Sequence, residues 1–263
     1  MIAKASTVSI IRKRLSANGY LCRHHRIHPD SLKIFATGHP RRLAELKEKI
    51  GTAHTVHLHE GPGAAASLLD AFDLLFDLSF DDNPSGLAAY AVLQNKPVLV
   101  CAVKKSLTQL ISLYDGDIGC HLIGFNALPT FINRSRSEVS FLNDAAAHAW
   151  QQISQALGWE YDTVEDRPGM VSIKVIAMLI NEACFTLEEQ TASMHDIDRA
   201  MKLGLNYPWG PFEWCDRIGV KEVYETLQAI AAASSDARYK ICELLREKYL
   251  SQKPFYMHTT NLT

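Results

Sequence analysis

The residues most able to do chemistry in this 263-residue chain fall into a few groups. Gly61-Pro62-Gly63-Ala64-Ala65-Ala66 lies after a strand-like run and before a helical one. In that setting, glycines let a backbone close around a phosphate. Pro62 removes one N–H from such a cradle, so the segment reads first as a turn with a helix start. Histidines cluster at 24, 25 and 28, and again at 54, 57 and 59. His57 and His59 share one strand face, but no cysteine or carboxylate cluster completes a metal shell there, and Glu60 points the other way. No metal site is expected. Six cysteines stand at 22, 101, 120, 184, 215 and 242 with no CxxC pair, which suggests buried, reduced thiols and a cytoplasmic setting.

These residues need elements to position them. "LKIFATG" (32–38), "HTVHLH" (54–59), "DLLFDLS" (73–79), "PVLVCAV" (97–103), "CHLIGFNA" (120–127) and "EYDTVE" (160–165) read as strands. Helices separate them at 40–50, 64–72, 87–94, from Ser106 to Tyr114, and from Asp144 to Gly158. Strands alternating with helices imply a parallel sheet in an α/β layer fold. After Arg167-Pro168-Gly169 the pattern is helical. "MVSIKVIAMLINEACFTLEEQ" is apolar enough to be buried on several faces. Ser193 to Asp196 resembles a capping box, Gly204 suits a helix C-terminus, and Pro211 and Gly219 bound a short helix. "VKEVYETLQAIAAA" and "DARYKICELLREKYL" make two more helices. The domains are expected at 1–167 and 168–263.

The bulk composition excludes several function classes. A net charge of -2 argues against nucleic acid and anionic membrane as partners. No apolar run is long enough to span a bilayer, and the opening MIAKASTVSIIRKRLS is not a secretory signal.

"GLNYPWGPFEWCDRIG" (204–219) is rich in glycine, proline and aromatics for a helical region. Pro208 and Pro211 fix two bends and Gly210 permits a close chain approach. Tyr207, Trp209, Phe212 and Trp214 can then pack at an interface. Together with "RPGM", "LINEA", "DIDRAMKL" and "ARYKICELLREKYL", this stretch resembles the C-terminal domain of 3-hydroxyacyl-CoA dehydrogenases over roughly residues 166 to 256. The resemblance implies a degenerate or shortened Rossmann-like α/β domain followed by an all-α 3-hydroxyacyl-CoA dehydrogenase C-terminal domain. It also implies NAD as cofactor, an acyl-CoA thioester as ligand, and a homodimer formed through the helical domain.

The family's site residues can be carried over position by position. Its catalytic histidine is followed twelve residues later by a glutamate that orients it. Glu138 takes the glutamate position, and Asn126 stands where the histidine would be. An amide cannot accept a proton near neutral pH. His121 lies five residues upstream, on the opposite strand face. The substrate-oxygen serine falls at Lys105, with Ser106 beside it. The family's asparagine in the second domain falls at Ile173, and its acidic cofactor contact at Asp81, with Gly86 where its lysine partner would stand. The family register puts the dinucleotide loop near residues 7 to 20, where Arg12-Lys13-Arg14 could meet a CoA phosphate but no glycine precedes Gly19. Arg134 and Arg136 are further phosphate candidates beside the cleft.

Two functions are therefore expected. One is a divergent family member without hydride transfer that keeps acyl-CoA binding or an assembly role. The other is an active NAD-dependent 3-hydroxyacyl-CoA dehydrogenase with a re-worked site. The absent base, the absent glycine loop and Ile173 favour the first.

Overall fold

The computed structural model describes residues 31–60, 64–112, 114–234 and 236–256. The stretch 7–20, the histidines at 24, 25 and 28, and the Gly61–Gly63 turn lie outside the described residues.

The first half builds one seven-stranded sheet. In chain order its strands and helices are β1 (Lys33–Gly38), α1 (Pro40–Ile50), β2 (Thr55–Glu60), α2 (Ala66–Leu69), β3 (Leu74–Asp77) and α3 (Leu87–Ala91). There follow β4 (Pro97–Cys101), α4 (Leu107–Ile111), β5 (His121–Phe125), β6 (Arg136–Phe141), α5 (Asp144–Leu157) and β7 (Glu160–Thr163). The spatial order is β2-β1-β3-β4-β5-β6-β7. Strands β1 to β5 are mutually parallel; the apolar runs of β1, β3, β4 and β5 suit strands covered on both faces, while the edge strand β2 is largely exposed. Leu74, Leu75, Phe76, Val98, Leu99 and Val100 are at most 1% exposed, so β3 and β4 form the centre of the core.

Strand β6 is not among the strands expected from the sequence, which assigned no element to 128–141. It runs antiparallel to β5 and parallel to β7. Its sequence, RSEVSF, alternates weakly and buries the polar Ser137 and Ser140, so it lacks the apolar run that marks the other strands.

The second half is helical: α6 (Ser172–Glu188), α7 (Met194–Leu205), α8 (Pro211–Ile218), α9 (Val220–Ala232) and α10 (Glu243–Ser251). Helix α6 is the hub, burying Ile173, Ile176, Ala177, Ile180 and Cys184 while packing against α8, α9 and α10. Two boundaries differ from expectation. Helix α7 continues through Gly204 and ends on Asn206 in the left-handed region (φ 54). The expected helix from Asp236 breaks into a 3₁₀ turn (Ala237–Tyr239) and α10, because the buried Asn181 amide holds both flanks of the break. Asn181 Nδ2 donates to the Lys240 carbonyl and its Oδ1 accepts from Cys242 N–H, each at 2.9 Å. The five described cysteines are buried and unpaired. No helix among the described residues is long and apolar enough to cross a membrane.

Candidate active-site cleft

The chain reverses direction across the sheet between β1 and β3: β2 adds on one side of β1, and β3 to β5 on the other. In open α/β sheets the ligand crevice lies at such a switch point, outside the carboxyl ends of the strands. The turn that faces it is Gly38-His39-Pro40-Arg41-Arg42, joining β1 to α1. The sequence had placed the dinucleotide loop at residues 7–20; among the described residues, this later turn holds the position.

The turn is built for protein packing. Gly38 has φ +146, and a Cβ there would stand 2.9 Å from Leu78 Cβ, so the glycine lets β1 pass the end of β3. Pro40 begins α1 without an N–H. The next N–H, from Arg41, is already capped by His39 Nδ1 at 3.3 Å. His39 N–H itself donates to Ser79 Oγ at 3.2 Å. A pyrophosphate cradle needs several free amides at this place, and these residues do not supply it.

Arg42 completes the change. Its side chain is 3% exposed and donates to the Leu78 carbonyl, just past β3, and to Cys101 Sγ at 3.8 Å, at the end of β4. The guanidinium thus lies across the carboxyl ends of the two central strands. It also pairs with Glu222 of α9 at 2.9 Å, and Asp82 is 3.8 Å away. Lys104, just past β4, reaches Asp82, Glu222 at 3.0 Å and Glu225 at 2.8 Å. Lys221 adds a bond to Asp82 at 3.1 Å and one to Glu225 at 2.9 Å. Burial alone would pull the Lys104 ammonium down, but Glu222, Asp81 and Asp82 hold it above its ordinary value. The result is an ionic clasp between the sheet and the helices.

Asp81 sits beneath the clasp, 2% exposed. Its Oδ2 accepts from the N–H groups of Val103 (3.1 Å) and Lys104 (2.9 Å), while Oδ1 has no hydrogen-bond partner. Burial pushes this carboxyl up, against the pull of Lys104 and Arg42.

Asn126 and Glu138 do meet. The residue after β5 faces the third residue of β6 in the antiparallel pair, and Asn126 Nδ2 donates to Glu138 Oε2 at 3.2 Å. The other carboxylate oxygen accepts from Ser172 N–H and Ser172 Oγ, both at 2.7 Å. Glu138 therefore anchors the first turn of α6, where a negative charge is favourable. Asn126 is 3% exposed, and its position supplies a hydrogen-bond donor but no base.

The remaining sequence candidates are placed as follows. Ser106 is the N-cap of α4, in a reciprocal capping box with Gln109 that occupies its hydroxyl. Ile173 is fully buried in α6. His121 opens β5, at the opposite end of that strand from Asn126, and partial burial lowers its pKa. Arg134 stacks over Phe131 at 4.2 Å and lies 5.9 Å from the Trp214 ring. Arg136 is exposed on β6 and bound to Glu160 and Asp162 of β7, at 2.9 and 2.7 Å. His57 and His59 pack beside Phe72 and Phe35 on β2, and no group of three metal-ligating side chains exists among the described residues.

The aromatic turn at 207–214 packs against the sheet half. Trp209 and Trp214 meet edge-on at 5.6 Å, and Trp214 Nε1 donates to Thr130 Oγ1 of the sheet domain at 3.1 Å. Gly210 is required, because a Cβ would lie 2.3 Å from Asp198 Cβ. Asp198, a buried carboxylate within "DIDRA", accepts from Phe212 N–H (2.9 Å) and Glu213 N–H (3.1 Å) at the start of α8. It also accepts from Tyr256 Oη at 2.8 Å. Residues 169–255 match the model of the 3-hydroxyacyl-CoA dehydrogenase C-terminal domain. The helical half is a 3-hydroxyacyl-CoA dehydrogenase C-terminal domain.

Curated proteins and solved structures similar to the chain carry dehydrogenase names. The chain is 38% identical over 92 residues to the 3-hydroxyadipyl-CoA dehydrogenase of Escherichia coli, covering 35% of this chain and 19% of that protein. It is 31% identical over 143 residues to the 3-hydroxybutyryl-CoA dehydrogenase of Bradyrhizobium diazoefficiens, covering 53% and 48%. The chain thus spans less than half the length of these curated relatives. The crystal structure of (S)-3-hydroxybutyryl-CoA dehydrogenase from Ralstonia eutropha superposes with a TM-score of 0.65 at 19% identity, covering 84% of this chain and 94% of that one. It shares the fold.

The sequence reading missed Arg42, Lys104, Glu222 and Asp198 as organising residues. For Asp198 a signal existed: it precedes the Gly210-Pro211-Phe212 turn within the motif that carried the resemblance. For Arg42 none did, since its partners lie 36 to 180 positions away along the chain.

Proposed function

We propose that this chain is a 3-hydroxyacyl-CoA dehydrogenase family protein that no longer transfers hydride and serves as an acyl-CoA-binding or assembly module. Arg42 carries this reading. Its buried guanidinium lies over the carboxyl ends of β3 and β4, where the switch point would seat a dinucleotide. The residues present do not fit NAD, so no step is assigned to it. Asn126 in the position of the base supports the same reading, because it cannot take the proton that must leave with the hydride.

Titration calorimetry with NADH and then acetoacetyl-CoA, alongside NADH absorbance, tests it. The expected result is heat with the CoA thioester, none with NADH, and no turnover. NADH binding with turnover would overturn it.

A second reading, an NAD-dependent dehydrogenase with a re-worked site, is favoured by the matched relatives, both dehydrogenases by name. The Asn126–Glu138 contact also favours it. Under that reading Glu138→Gln lowers turnover by roughly 10² to 10⁴. Under the first, it leaves ligand binding intact. A homodimer formed through the helical domain is the proposed assembly; light scattering of the purified chain at the monomer mass would refute it.

A further inference from the structure

Lys104 and Lys49 are both drawn inward, and they are held in opposite ways. Lys104 meets the carboxylates of Asp82, Glu222 and Glu225. Lys49, in the last turn of α1, forms no ion pair among the described residues. Its Nζ donates to the Arg134 carbonyl at 2.6 Å and to Ser137 Oγ at 2.9 Å, and lies 4.5 Å from the centre of the Trp159 ring.

The charged groups on the flanking elements are engaged elsewhere. On α1, Glu45 accepts from Thr130 N–H and Glu48 from Asn133 Nδ2, both at 2.9 Å. On β6, Glu138 holds Ser172, and Arg136 is bound to Glu160 and Asp162 of β7. The Arg134 guanidinium stacks over Phe131. An ammonium group carries three N–H donors, whereas a free amine carries two and a lone pair. Two neutral acceptors and a ring, with no anion, suit the amine: both of its donors are met and its lone pair is left over. Burial without a counter-charge pulls Lys49 down to about 8, so an appreciable share is amine at neutral pH. The residue is half-buried, so solvent and small reagents reach it.

The product each electrophile would leave decides between them. An aldehyde gives an imine with no N–H for either acceptor, or an iminium that needs the missing anion. An acyl group gives a neutral amide that keeps one N–H for the Arg134 carbonyl or Ser137. We propose that Lys49 is an acylation site, taking its acyl group from an activated donor, either a thioester or an acyl phosphate. The Nζ lone pair bonds to the donor's carbonyl carbon. The carbon–sulfur or carbon–oxygen bond breaks with its electron pair going to the leaving group, and one N–H proton leaves with the thiol or phosphate. Trp159 also lines a surface concavity of about 480 Å³ with Gln151, Gln155 and Tyr161, which offers the acyl chain a place beside the ring. The site uses no residue of the switch-point crevice and rests on neither reading of it.

Incubation of the full chain with acetyl-CoA, and in parallel with acetyl phosphate, followed by peptide mass mapping, tests the proposal. Lys47, exposed two residues earlier on the same helix, is the internal reference. Lys49 is expected to be acetylated about tenfold faster or more, as a larger amine fraction outweighs a lower intrinsic nucleophilicity. Its rate should rise with pH and level off above about 8. Ser137→Asp places a carboxylate beside Nζ and should cut the Lys49 rate about tenfold while leaving Lys47 unchanged. Circular dichroism checks the fold of that variant, and the wild-type rates and pH profile decide the question even if it fails to fold. The faster donor identifies the source of the acyl group. Equal rates at Lys49 and Lys47 with both donors, or an unchanged Lys49 rate in folded Ser137→Asp, would overturn the proposal.

Discussion

Helices α1 and α8 both begin with a proline after a glycine-containing turn, and they have been filled in opposite ways. At α8, the buried Asp198 carboxylate occupies the helix start and binds the first two free N–H groups. The protein supplies its own anion there, where the helix dipole favours one. At α1, the corresponding place would belong to a ligand phosphate. Here His39 caps the first amide, and Arg42 turns inward to the clasp. The α8 turn is internal machinery, and its motif still reads cleanly. Under the proposed function, the α1 turn stands where a ligand phosphate would sit, and its residues carry no phosphate motif. A helix start held by protein groups keeps its sequence because the fold needs it; one held by a ligand is free to drift once the ligand is gone.

Substitutions at the two helices would sharpen this contrast. The largest effect is expected at Arg42. Arg42→Met leaves Glu222 and Asp82 short of a buried partner, and urea unfolding should show a loss of about 3–5 kcal/mol. The double variant Arg42→Met/Glu222→Met should recover most of it. If Arg42→Met were neutral, the clasp would not be what holds the sheet to α9.

Gly210→Ala tests the α8 side. Its Cβ would collide with Asp198, so a loss of about 2–3 kcal/mol is expected in the same measurement.

How far such residues can be read in advance depends on distance along the chain. Helix α1 was legible at 40–50 because its signals are local: a proline at the first turn, and buried Leu43, Leu46 and Ile50 at helical spacing. The core strands were equally local. The Asn126–Glu138 contact was foreshadowed by a twelve-residue spacing carried over from the family, though the strand that produces it, β6, was not. The clasp was invisible, since residues 42, 82, 104 and 222 meet only after the sheet and the helical domain have docked. Ser106 was legible as a polar residue at a helix start, but capping chemistry and substrate chemistry use the same hydroxyl.

A smaller effect lies at Asp77, which ends β3 beside the same crevice. Burial pushes its carboxyl up to about 6, opposed by the hydrogen bonds from Tyr90 Oη and Ser79 N–H. Between its ordinary value near 4 and about 6, the folded state holds more protons than the unfolded one. Stability should therefore fall as pH rises through that window and stay lowered above it. Asp77→Asn should flatten that slope and gain about 2 kcal/mol relative to wild type at pH 7, as read from unfolding curves at pH 4.5 and 7.

The smallest effect is expected for Glu138→Gln. It keeps an acceptor for Ser172 but removes the charge at the α6 start, for about 1 kcal/mol.

The chain crosses from sheet to helices at Gly169. Its N–H donates to the Val103 carbonyl at 2.7 Å, its φ is +87, and Ile230 fills the space where a side chain would go. The crossover is pinned on both sides, and the ion pairs of α9 brace it from above. A crossover held at both ends favours a stiff joint, so a ligand entering the cleft is expected to meet a surface largely formed before it arrives.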